Sequence, residues 1–145
     1  AESVNYVGYL LFILIQCTWG LGQTLLGLAF FCVYRRSPHA FYRGCVHTEW
    51  KGDGGISLGL FIFTPESGGN TDWNNRLTVH EYGHAWQSLL LGPFYIIPGL
   101  ASLCWSRMSY FQRKRREKNI PYSAFWTERW ANRWGEKLTG HSSIG

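Results

Sequence analysis

The sequence predicts a mainly α-helical membrane protein, and three observations carry that reading. Residues 3–34 include no charged side chain. Residues 85–106 form a second uncharged run. Two segments of helical spacing, 73–91 and 121–138, line up polar residues on one face. At 145 residues the chain makes one domain, 1–145, so any activity has to come from a single compact site.

The N-terminal run, VGYLLFILIQCTWGLGQTLLGLAFFCVY at its heart, predicts one transmembrane helix over 3–34. At about 1.5 Å per residue it reaches roughly 42 Å, enough for a hydrocarbon core of about 30 Å with tilt. No basic segment precedes it and it is too long for a cleaved signal peptide. Arg35 and Arg36 follow directly, whereas Glu2 is the only charge before it. By the positive-inside rule the N-terminus lies outside and the rest of the chain begins in the cytoplasm. Gly20, Gly22 and Gly27 give no GxxxG spacing, hence no case for a dimer through this helix.

Residues 37–54 read as a loop closed by the turn signal GDGG. ISLGLFIFTP is β-prone and ends at Pro65, which predicts a strand over 55–64 followed by the loop ESGGNTDWNN. Asp72 or Asn74 is placed to cap the helix 73–91. The uncharged run beyond it is long enough to span, but Gly92-Pro93 and Pro98-Gly99 interrupt it. Next comes RKRREK at 113–118, with five of the 14 Lys and Arg residues. A true span would carry that cluster outside, so 92–106 is expected to re-enter or lie in the interface. The last helix, 121–138, contains SAFWTERWANRWGEKL, with Ser123 as its cap.

The formal charge of +5 suits an anionic membrane surface, and no nucleic-acid motif accompanies the basic run, so no nucleic-acid partner is expected. Trp126, Trp130 and Trp134 recur at i, i+4 and i+8 among Arg129, Arg133 and Lys137, a stripe that fits core packing and, beside arginine, fits an interfacial aromatic belt better. Cys17, Cys32, Cys45 and Cys104 show no CxxC spacing and read as reduced, small apolar residues.

The chemistry is concentrated in HEYGH. On a helix His80 and His84 share a face one turn apart and can present ring nitrogens to one Zn²⁺, with Glu81 beside them to act on water. With 5 His and 7 Glu in the chain, about 0.01 such matches arise by accident. A catalytic zinc needs a third protein ligand and an open position. Glu128 is the candidate, because Ala131, Asn132 and Gly135 follow it on one face and are small enough to let its helix come close. Asn132 could then hold the free N–H of a ligating histidine. Glu49, His47, Asp72 and His141 are rival ligands.

The pair HEYGH and ERWAN resembles the gluzincin metallopeptidases, which join HExxH on one helix to ExxxD on another. It is most similar to their membrane-bound branch, the CAAX prenyl protease, heat-shock membrane protease and β-lactam sensor-transducer families, whose second motif reads ExxAD; Asn132 stands here where Asp is usual. It is also similar to small bacterial membrane proteins that continue HEYGH as QSLLLGP and TERWA do. The resemblance covers the two motif helices and the membrane setting. It implies a small zincin-like core in the bacterial inner membrane, with Zn²⁺ as cofactor, a peptide or membrane-protein substrate, and an extended peptide laid on the strand edge at Ser57, Leu58, Gly59 and Leu60.

In the mechanism so implied, zinc polarises the scissile carbonyl while Glu81 takes a proton from water and passes it to the leaving amine. His47, Tyr82, Tyr122 and His141 are each chemically able to stabilise the oxyanion. If 86–106 crossed the bilayer, Glu128 would lie across the membrane from His80; the metal site therefore places the active site and the C-terminus on the cytoplasmic face. The competing reading is a non-catalytic membrane interaction or regulatory protein with a structural metal site.

Overall fold

The computed structural model describes residues 5–52, 54–66 and 71–144. Residues 3 and 4 of the expected first helix, Asp53 of the GDGG turn and residues 67–70 of the following loop lie outside these. The chain is mainly helical, with one four-stranded sheet: α1 (Tyr6–Gln16), α2 (Leu21–Val33), β1 (His39–Tyr42), β2 (Cys45–Trp50), β3 (Ile56–Leu58), β4 (Phe61–Pro65), α3 (Thr71–Leu91), α4 (Ile96–Arg107), α5 (Ser109–Glu117) and α6 (Trp126–Thr139). Short 3-10 turns at Gly92–Tyr95 and Tyr122–Ala124 precede α4 and α6.

The expected single N-terminal helix is two helices, α1 and α2, bent by 96° at residues 17–20. The cause is polar side chains that a search for charges overlooks. Gln16 is fully buried, and its Nε2 donates to the Ala85 carbonyl at 2.9 Å and to Ser88 Oγ at 3.1 Å. Thr24 Oγ1 donates to the Gln16 carbonyl (2.8 Å), and the Gly20 N–H to Ile15 (3.0 Å), which turns the chain. Gln23 Nε2 reaches the Gly92 carbonyl at 3.0 Å. These bonds tie α1 to α3 and α2 to the turn that follows α3, so the stretch expected as one straight helix is a sharply bent pair.

The region expected to be a loop, 37–54, contains β1 and β2. Arg43 (φ 46°) and Gly44 (φ 98°) join them in a two-residue turn with positive φ at both positions, the type I′ pattern that follows strand twist. The expected strand over 55–64 is a hairpin, with Gly59 (φ 62°) turning β3 back on β4. Gly59 and Leu60 are therefore turn rather than strand: Gly59 packs on Thr24, and the Leu60 carbonyl accepts from Val46 N–H at 2.8 Å. The sheet runs β1-β2-β4-β3, with β2 parallel to β4 and both other pairs antiparallel. Ser57 and Leu58 do lie on an edge strand.

Two apolar clusters hold the helices to the sheet. Phe12, Cys45, Ile62, Tyr82 and Ala85 join α1, the sheet and α3; Trp50, Leu58, Phe61 and Phe63, with Phe30 and Phe31, seat α2. Neither expected capping residue caps α3: Asp72 lies in its first turn, and Asn74 Nδ2 donates to the Pro65 carbonyl at 2.7 Å. The expected cap Ser123 instead sits in the 3-10 turn before α6, whose N-cap Phe125 makes no side-chain cap bond.

The helical run Thr71–Arg107 is long and apolar enough, by length and composition, to cross a membrane. It is not straight. A straight helix would carry Ser102 about 22 Å beyond Gln87, yet both bind Thr127: Gln87 Nε2 donates to its carbonyl (2.8 Å) and Ser102 Oγ meets its Oγ1 (2.6 Å). Gly92, at φ 55°, is where the run departs from α-helical backbone. Large apolar side chains on α1 (Tyr6, Leu10, Leu14), α2 (Leu25, Leu26) and α4 (Ile96, Ile97, Leu100) are more than half exposed.

Candidate metal centre

The centre is built where α3 crosses α6. The crossing is close because the meeting residues are small: a Cβ on Gly83 would collide with the Ala131 carbonyl, and one on Gly135 with the Val79 carbonyl. Gly83, the fourth residue of HEYGH, thus sets the distance at which Glu128 meets the histidines. His80 Nε2 lies 3.0 Å and His84 Nε2 3.2 Å from the same atom, Glu128 Oε2, and all three residues are buried.

What the three atoms need follows from the far sides of the rings. His80 Nδ1 is 2.6 Å from Asn132 Oδ1, and His84 Nδ1 is 2.8 Å from Gln87 Oε1. The Gln87 amide nitrogen is committed to the Thr127 carbonyl at 2.8 Å, which fixes its oxygen toward the ring. Both Nδ1 atoms therefore donate, and in neutral imidazoles both Nε2 atoms turn lone pairs toward a carboxylate oxygen. Lone pairs converging in a buried space are satisfied by a positive centre among them, either a proton on one ring or a bound metal ion, and the group could hold the latter. Ligand atoms about 2.0–2.1 Å from a tetrahedral zinc lie roughly 3.3 Å apart, close to the separations found here. His80, His84 and Glu128 form the one group among the described residues able to hold a metal ion.

A proton on the rings would act on the carboxylate in its own way, by hydrogen bond and by charge. Burial opposes the Glu128 charge, but the flanking His80 and His84 hold its carboxyl well below the usual carboxylate range. Burial pushes the Glu81 carboxyl up to about 7; His80 pulls it down and Glu128 pushes it up. Glu81 has room because Gly55, just before β3, has no side chain: a Cβ there would strike Oε1.

Glu81, His84, Glu128 and Tyr122 line one cavity of about 500 Å³, walled by β3 (Ser57, Leu58), α2 and α4. Of the four oxyanion candidates only Tyr122 is there. Burial, with Glu128 and Glu81 nearby, raises its hydroxyl pKa, so it remains a donor. Tyr82 points into the apolar cluster and donates to the Arg43 carbonyl at 3.1 Å. His47 bonds Thr64 Oγ1 at 2.7 Å and, with His141 and the rival ligand Asp72, lines a different cavity. Glu49 is on β2, outside the group. Gln87, Gly83 and Gly55 were given no role from sequence; Gln87 was findable, since i+3 from His84 is the same face.

Neither family models, nor curated proteins, nor solved structures gave a match to this chain.

Proposed function

We propose that the chain is a membrane-embedded zinc metalloendopeptidase that hydrolyses peptide bonds at or beside the cytoplasmic membrane face. One observation carries the reading: three buried ligand atoms converge, and the Glu81 carboxylate lines the same cavity. When bound, zinc supplies Lewis acidity and lowers the pKa of water at the site. Glu81 accepts a proton from water at its carboxylate and delivers it to the leaving amine, a role for which a carboxyl raised toward neutrality is suited. Tyr122 donates toward the oxyanion. The edge of β3, at Ser57 and Leu58, offers main-chain groups to an extended substrate. In this reading α3, α6 and β3 make a minimal zincin-like core, and the exposed apolar faces of α1, α2 and α4 rest in lipid. The basic helix α5 supports a cytoplasmic site.

A structural zinc would be closed by four protein ligands. Among the described residues three converge, which favours hydrolysis over a non-catalytic role. Zinc analysis of the detergent-solubilised chain tests this: near one per chain in wild type, near none in Glu128→Ala and His84→Ala. Glu81→Gln should keep its zinc and lose cleavage of a quenched-fluorescent peptide library. Unaltered cleavage by Glu81→Gln would overturn the mechanism.

A further inference from the structure

The mouth of the cavity carries an inference about what enters it. Leu26 on α2 and Ile96, Leu100 and Leu103 on α4 line the cavity and are also exposed, so they form its rim. Across that rim Gly22 presents no side chain, and a Cβ there would meet nothing within 4 Å. Among the described residues no Lys, Arg or Asp lines the cavity; the charged groups there, Glu81 and Glu128, are buried beside His84. Along the β3 wall Ser57 Oγ is buried and has no hydrogen-bond partner, an unmet polar group on the edge strand of the sheet.

A rim of leucine and isoleucine is costly against water and costs nothing against lipid. It is continuous with the exposed apolar faces of α2 and α4. We infer that the site is entered sideways from the bilayer, through the slot between α2 and α4, by an extended apolar polypeptide segment whose backbone satisfies Ser57 and the β3 edge. The occupant is thus a membrane-dissolved segment rather than a polar peptide from water. The inference deepens the peptidase reading by naming its substrate class, but the route itself can be tested without activity.

The test uses the full chain in phosphatidylcholine vesicles, with the exposed Cys17, Cys32 and Cys104 replaced by serine and a single reporter, Ser57→Cys, in the wall. The buried Cys45, whose thiol burial pushes far up, stays silent. Lipid-soluble N-phenylmaleimide should label the reporter at least about tenfold faster than the charged thiosulfonate MTSES, because charge is excluded from an apolar slot. Gly22→Trp and Gly99→Trp should each slow maleimide labelling about tenfold by filling the slot, with zinc content unchanged. Ser102→Cys, also in the cavity wall, repeats the measurement if Ser57→Cys fails to fold. Equal MTSES labelling, or labelling indifferent to both tryptophans, overturns the lateral route. If zinc is absent while the labelling pattern holds, the peptidase reading fails and the slot stands as a site for an apolar segment.

Discussion

Two cavities of the molecule have similar inventories and different chemistry. The larger, about 590 Å³, is lined by His47, His141, Asp72 and Arg76 among others; the smaller, about 500 Å³, by Glu81, His84, Glu128 and Tyr122. Ligand-capable side chains occur in both, yet only in the smaller do they belong to a group whose ligand atoms meet. In the larger, His47 is satisfied by a threonine. Convergence enforced by a second layer of hydrogen bonds, rather than residue type or volume, is what separates a group that could hold a metal ion from a polar cleft.

The largest effect should come from exchanging deletions between the two. His80→Ala should reduce bound zinc from near one per chain to near none, while Asp72→Ala and His141→Ala leave it unchanged. Atomic absorption on the purified variants decides it, and loss of zinc in Asp72→Ala would erase the distinction.

Next is the helix crossing that makes the convergence possible. Gly83→Ala places a Cβ against the Ala131 carbonyl on a partner helix that cannot yield locally. Overpacking of this kind costs about 1–3 kcal/mol, and it separates Glu128 from both rings. Thermal unfolding should drop and zinc affinity should fall together. Gly22→Ala, with open space at its Cβ, is the control and should change neither.

A smaller effect belongs to the outer partners. Gln87→Leu and Asn132→Leu each strand a ring N–H in a buried place, and such losses weaken metal binding about 10–100-fold. Asn132→Asp puts a negative charge beside His80 Nδ1 and should tighten zinc. Competition with a chelating dye measures all three; identical affinities would mean that the rings are held by packing alone.

Much of the centre was legible because it is local. His80 and His84 share a helical face through spacing alone, and the small residues after Glu128 announced a close crossing. The break in the helical run was signalled by Gly92-Pro93. The sheet was hidden for a physical reason: β2 finds its parallel partner β4 across an intervening strand, and CVHTEW is buried unevenly along its length, so no clean alternation marks it. The bend between α1 and α2 was hidden because Gln16, Thr24 and Gln23 are uncharged, and Gln16 and Gln23 find their partners 69 residues away, in α3 and the turn after it. Tyr82, His47 and His141 were chemically sound oxyanion candidates; only tertiary placement sends them elsewhere.

The smallest effect concerns the larger cavity alone. Burial lowers the pKa of His47, which bonds Thr64 across the parallel pair β2–β4. A base with a depressed folded pKa takes up its proton more readily when unfolded, near an ordinary value of about 6.5. The unfolded state therefore binds more protons as pH falls below that value, and stability conferred by neutral His47 is full above it and lost on acidification. His47→Gln keeps a group able to bond Thr64 and cannot titrate, so it should flatten this part of the stability–pH curve. Zinc-free protein is the right material, since His80 and His84 would otherwise add metal release to the same acid limb. A slope unchanged in His47→Gln would assign the acid sensitivity to the metal centre and leave the larger cavity without a titrating role.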